Sequence, residues 1–149
     1  MRWISIIGIS ILLACAGTAW GQSCSVTTTP AGFGNYDTSA SAPLDTVAEV
    51  IVNCESGVPY QIRLDAGQNA GGGFDRNMRS SAGDANLAYN LYRDSARTEI
   101  WGDGSGSTVT RTGTGTGGPE PVNVYGRIPG RQNVTVGVYS DSVIVTVEW

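Results

Sequence analysis

The sequence predicts an antiparallel, all-β sandwich or barrel. Three observations carry this. Helical periodicity is hard to find along the chain. Short runs of strand-forming residues with period-two alternation recur instead, and turn residues separate them.

The strands are expected in order. The first lies near Cys24–Thr29. Val47–Cys54 (V-A-E-V-I-V-N-C) is the second. Pro59–Leu64 alternates through Tyr60, Ile62 and Leu64. Leu87–Tyr92 alternates through Leu87, Tyr89 and Leu91. Val122–Ile128, Asn133–Tyr139 and Ser142–Trp149 follow, about seven in all, near the size of a small sandwich. Glu55-Ser56-Gly57 and Pro129-Gly130 are turn chemistry, and Ser140-Asp141 predicts a tight hairpin between the last two strands. Gly67–Gly73 reads as a flexible loop. The longer glycine-rich stretch, Gly102–Gly118, holds Thr108–Thr112, which could form a short exposed strand and close the sheet in cis.

The last run, Y-S-D-S-V-I-V-T-V-E-W (Tyr139–Trp149), is the most informative. Val143, Val145, Val147 and Trp149 share one face; Ile144, Thr146 and Glu148 share the other. An apolar strand of this kind needs a neighbour on each side, because an uncovered one invites aggregation.

The N-terminus reads as a targeting signal. Arg2 precedes an apolar run, Trp3–Ala14. Ala19-Trp20-Gly21 then places small residues at the positions a signal peptidase reads, predicting cleavage before Gln22. The run is shorter than the roughly 20 residues a membrane span needs. Leu12-Leu13-Ala14-Cys15 offers the alternative of lipid attachment at Cys15. Residues 22–149 then form one domain.

The 149-residue chain has a formal net charge of −4 and contains no histidine; all its cations are arginine. A net acidic chain without a basic run argues against nucleic acid and anionic membrane as partners. With Cys15 in the signal, Cys24 and Cys54 remain. In an oxidising compartment they are most simply one disulfide.

Catalytic chemistry is hard to assemble. Without histidine, Ser-His-Asp and Cys-His arrangements are excluded. Asp94, Glu99 and Asp103 are close in sequence, but read as solvated turn carboxylates rather than a hydrolytic pair. Asp103-Gly104-Ser105-Gly106-Ser107 lacks the spaced acids of a calcium loop. No phosphate-loop lysine follows the glycines. No cofactor or metal is expected. Tyr60, Tyr89, Tyr92, Trp101, Tyr125 and Tyr139 read as core or cross-strand aromatics, with a sugar-binding face as the alternative.

Four segments resemble one family. They are C-S-V-T-T-T-P-A-G-F-G-N-Y-D (Cys24–Asp37), A-Y-N-L-Y-R-D-S-A-R-T (Ala88–Thr98) with W-G-D-G-S-G (Trp101–Gly106), Y-G-R-I-P-G-R-Q-N-V (Tyr125–Val134) and G-V-Y-S-D-S-V-I-V-T-V-E-W (Gly137–Trp149). In this order, over essentially the whole mature chain, they are similar to the spore coat protein U domain, also the pilin of archaic chaperone–usher pili. The resemblance implies an incomplete immunoglobulin-like antiparallel β-sandwich whose final strand is supplied in trans. A periplasmic pilus chaperone would lend that strand first. At the outer-membrane usher, a neighbouring pilin subunit would replace it. Val143, Val145, Val147 and Trp149 would line the acceptor groove, with the Trp149 carboxylate as chaperone anchor. Cys24 and Cys54 match the family's paired cysteines. The protein would be exported through the periplasm to the cell surface, serving adhesion or biofilm.

With cleavage before Gln22, only Gln22 and Ser23 precede Cys24, too few to serve as a donor strand. The expectation is a subunit that accepts a strand without giving one. The alternative is a self-sufficient secreted sandwich, acting as a coat or matrix component or as a carbohydrate-binding module that uses Trp101.

Overall fold

The computed structural model describes residues 21–149 and the backbone of residues 2–4. Most of the expected targeting segment, Cys15 included, lies outside the described residues. The strands are β1 (Arg2–Ile4), β2 (Cys24–Thr28), β3 (Ala31–Gly34), β4 (Leu44–Cys54), β5 (Pro59–Leu64) and β6 (Asn77–Ser80). Then come β7 (Asn86–Ala88), β8 (Asn90–Tyr92), β9 (Arg111–Thr114), β10 (Pro119–Ile128), β11 (Tyr139–Ser140) and β12 (Val145–Glu148). No helix is found among the described residues, and every strand pair named here is antiparallel.

The first layer is the sheet β2-β4-β10-β8. Long strands with clean alternation form its centre. β4 turns Ala48, Val50, Val52 and Cys54 inward, and β10 turns in Val122, Val124 and Ile128. Opposite lie two shorter groups, β9-β5-β12 and β11-β6-β7. Tyr60, Ile62 and Leu64 of β5 face in, as the alternation predicts. The inward faces meet in one core, with Trp101 fully buried and its indole N–H donating to the Ile62 carbonyl at 3.2 Å. The architecture is an immunoglobulin-like sandwich, not a closed barrel.

The expected disulfide is present. Cys24 and Cys54 stand directly opposite in the β2–β4 register and are bonded. It staples the edge strand β2 to the centre of its sheet.

Some elements differ from the sequence reading. Leu87–Tyr92 is two strands: β7 pairs with β6, whereas β8 pairs with β10, so the chain changes layers at Tyr89. Alternation survives, with Leu87, Tyr89 and Leu91 all buried. Asn133–Tyr139 is a strand only at its end. Gln132 explains this. Its side chain takes the Ala88 N–H and donates to the Ala88 carbonyl, both at 2.8 Å, where a backbone ladder would otherwise run. Val136 is left fully exposed. β3, in which buried Ala31 and Phe33 alternate with glycines, and the polar β6 are each only four residues long and lack a run of strand-forming residues, so the sequence does not predict them.

The glycine-rich stretch does supply a strand in cis, β9, but on the side of β5 opposite to β12. Gly113 makes this possible: a Cβ there would lie 2.4 Å from the Tyr60 ring. The outer side of β12 stays without a strand partner among the described residues.

Candidate strand-acceptor edge

The final segment contains no hairpin. β11 and β12 do not pair with each other; β11 pairs with β6 and β12 with β5. The expected turn at Ser140-Asp141 is instead extended chain. Tyr139, Asp141, Val143, Val145 and Val147 are all buried, at 0 to 3% exposure, while Val138 before them and Ser140 and Ile144 between them are exposed. Asp141 explains the error. The carboxylate is buried at 3% exposure, not at a solvent turn. Its Oδ1 accepts the N–H groups of Gln68 and Asn69 and the Asn69 side-chain amide; its Oδ2 accepts the Tyr89 hydroxyl at 2.7 Å. A buried charge is tolerated when it is this fully bonded.

Three of the four residues expected in the groove lie in that inward row. Val143 and Val145 are fully buried and Val147 is 3% exposed. Trp149 is 37% exposed; its indole N–H donates to the Gln22 carbonyl at 3.2 Å, and it shares a shallow hollow with Tyr60 and Gly113. Thr146 and Glu148 occupy the other face, where Glu148 pairs with Arg63 at 2.9 Å.

Backbone direction follows from the ladder. In an antiparallel pair, residues alternate between bonding their partner and turning their N–H and C=O away. Asp65 N–H donates to the Ile144 carbonyl at 3.0 Å and Ile144 N–H donates to Asp65 Oδ1, so Ile144 faces β5. Thr146 and Glu148 continue in the same register against Arg63 and Gln61. Val145 and Val147 therefore bury their side chains while their backbone groups point out from the sheet edge.

A second edge lies nearby. The strand paired with β3 is β1, within the expected targeting segment, and β1 also lies beside β11. An extended backbone thus fits beside both β3 and the final segment.

A second buried ion supports this end of the sandwich. Arg76 is 1% exposed. Its guanidinium donates to the carbonyls of Asp65 and Trp101 and to Asn90 Oδ1, and lies over the Phe74 ring at 5.1 Å. Burial lowers its pKa, and the Tyr89, Asp65 and Asp141 side chains oppose that shift. Burial, reinforced by the Asp141 carboxylate, pushes the Tyr89 hydroxyl far above its ordinary value, so it remains a donor. Sequence reasoning missed Arg76, Asp65 and Asp141, since each lies between the expected strands and carries no local sign of burial.

The residues considered for chemistry are engaged in their own loops. Asp94 accepts the N–H groups of Thr98 and Glu99, Glu99 pairs with Arg93 at 2.7 Å, and Asp103 accepts from Ser105. Among the described residues no group of three metal-capable side chains occurs, and no helix is long and apolar enough to cross a membrane. Tyr60, Tyr89, Trp101 and Tyr139 belong to the core, so Trp101 offers no ring to a sugar.

The family model described as Spore Coat Protein U domain matches residues 12–146. Protein U of Myxococcus xanthus is 39% identical over 72 residues, spanning 48% of this chain but only 39% of that protein. Among solved structures, a chain of the CsuC–CsuE chaperone–tip adhesion subunit pre-assembly complex, from archaic chaperone–usher Csu pili of Acinetobacter baumannii, superposes with a TM-score of 0.64. It is 20% identical and the match covers 86% of this chain and 40% of that one, a likeness of fold. The E. coli Hda pilus minor tip subunit, HdaB, gives a TM-score of 0.46 at 19% identity, covering 83% of this chain and 79% of that one.

Proposed function

The chain belongs to the Spore Coat Protein U domain family, and we propose that it is an exported structural subunit of a chaperone–usher pilus or a related surface coat. It is a structural protein rather than an enzyme. In this reading, residues 1–21 are removed on export and residues 22–149 fold as the subunit. Val143, Val145, Val147 and Trp149 line a groove that takes a partner's strand, first from a periplasmic chaperone and then from a neighbouring subunit at the usher.

One observation carries the reading. Val145 and Val147 are buried in the core yet turn their backbone groups to a side with no strand partner among the described residues. An edge of that kind is a template for strand addition. Removing the targeting segment would also release β1 from β3, opening the second edge beside it.

The test is periplasmic expression with and without the cognate pilus chaperone. Recovery of soluble monomer only with the chaperone, as a complex, is the expected result. Equal yields of stable monomer in both strains would overturn strand acceptance. A gene neighbourhood without chaperone and usher would favour the coat over the pilus.

A further inference from the structure

We infer that the accepting edge is longer than its apolar stretch, running from Asp141 to Val147, and that Asp65 and Asp141 are the positioning residues that make it continuous. The inference rests on the strand-accepting reading above and deepens it.

The final segment crosses from one sheet partner to another. Its first part is laddered on β6, with Ser81 N–H donating to the Val138 carbonyl at 2.9 Å. Its last part is laddered on β5. Between Ser140 and Val145 no named strand among the described residues pairs with it, and Ser142 is a lone bridge residue. Elsewhere such a gap lets a strand bend or bulge. Here the alternation is unbroken, odd-numbered side chains in and even-numbered ones out from Val138 to Glu148.

Two carboxylates substitute for the missing ladder. Arg76 draws the Asp65 carbonyl inward, with contacts at 2.5 and 3.1 Å. That carbonyl would otherwise accept from Ile144. Asp65 Oδ1 takes the Ile144 N–H instead, at 2.9 Å, and also accepts Gly67 N–H at 3.0 Å. Asp141, from the strand itself, gathers the loop: its Oδ1 orders Gln68 and Asn69, and Gln68 N–H also reaches the Ser142 carbonyl at 3.1 Å. Even-numbered backbone groups are thereby held toward the sheet at Val138, Ser142 and Ile144 as they are in β12. The odd-numbered groups of Asp141 and Val143 then face the same side as Val145 and Val147, the side on which β1 lies beside β11, so once the targeting segment is gone an incoming strand meets one straight edge.

The experiment uses residues 22–149 extended past Trp149 by a short Asn-Gly turn and a strand of about ten alternating valine and threonine residues. Amide hydrogen exchange is read residue by residue by NMR. The expected result is protection of alternate amides in the added strand opposite Asp141 and Val143 as well as Val145 and Val147, on the order of 100-fold over free chain. Asp65→Ala should lose the protection opposite Val143, while Asp65→Asn, which keeps an acceptor oxygen, should restore it. Protection confined to the Val145–Val147 end would overturn the longer edge. A profile unchanged by Asp65→Ala would overturn the positioning role. Should Asp65→Ala fail to fold, Asp65→Asn and the unsubstituted profile still decide the length of the edge. If the added strand yields no protection anywhere, strand acceptance itself is refuted.

Discussion

Gly67 leaves room for Asp141. A Cβ at residue 67 would lie 2.2 Å from Asp141 Oδ2, and the backbone there has a φ of +83°. The carboxylate cannot swing aside, because Gln68, Asn69 and Tyr89 all bond it. Gly67→Ala therefore combines backbone strain with an overlap. It should destabilise by about 2 kcal/mol or more. Thermal unfolding of the chaperone-bound subunit measures this; a midpoint equal to the parent's would contradict the account.

Side-chain direction on β12 predicts opposite outcomes at adjacent positions. Val145→Glu places a carboxylate where exposure is zero, costing several kcal/mol. Soluble complex with the chaperone should be lost. Thr146→Glu faces outward opposite Arg63 and gains an opposite-charge neighbour, worth about 0.2–1 kcal/mol. Yield should be retained. Similar yields of the two variants would show that the strand is not oriented as described.

The Cys24–Cys54 bond closes a loop of sequence separation 30. Chain-entropy reasoning assigns it about 3.5 kcal/mol. The double variant C24A/C54A should unfold correspondingly earlier in denaturant. Thiol titration of the unfolded mature protein should find no reactive sulfhydryl; two would refute the pairing.

Acid should weaken the outer face of the β4–β10 pair. The hydrogen bond from Arg127, helped by the charges of Arg97 and Arg127, holds the Asp45 carboxyl below its ordinary value of 3.8. A depressed carboxylate contributes stability that is whole above its unfolded pKa and is lost as pH falls through the folded one. The loss should fall below about pH 4. Asp45→Asn should flatten that part of the stability–pH curve and leave neutral pH less stable than the parent. A parallel curve for the variant would remove Asp45 from the explanation.

Much of the fold was legible because alternation records burial directly. Pro59–Leu64 and the inward row Val143, Val145, Val147 could be read from the sequence because each second residue is apolar and the sheet buries that face. The cysteine pair was legible from count and compartment. Asp141 was not. An acid beside serines reads as a turn, and nothing local reveals that Gln68, Asn69 and Tyr89 converge on it from more than fifty residues away. Leu87–Tyr92 misled for a related reason: its alternation stayed intact through Tyr89 while its hydrogen-bond partner changed, and periodicity carries no information about partners.

The sequence by itself determined which residues face the core, that the chain is antiparallel β, that Cys24 and Cys54 pair, and that the final segment is an apolar strand in need of cover. Apart from the cysteine pair, which follows from count and compartment, these depend on the period of side-chain chemistry along one strand, a local property. Tertiary structure decided which strand lies beside which. It placed β9 on the far side of β5, leaving the outer side of β12 without a strand partner among the described residues. It also brought Asp65, Arg76 and Asp141 together where β6 gives way to β5. Pairing is decided by backbone groups, which are the same in every residue but proline, so only the folded arrangement could show which edge is left without a strand partner among the described residues.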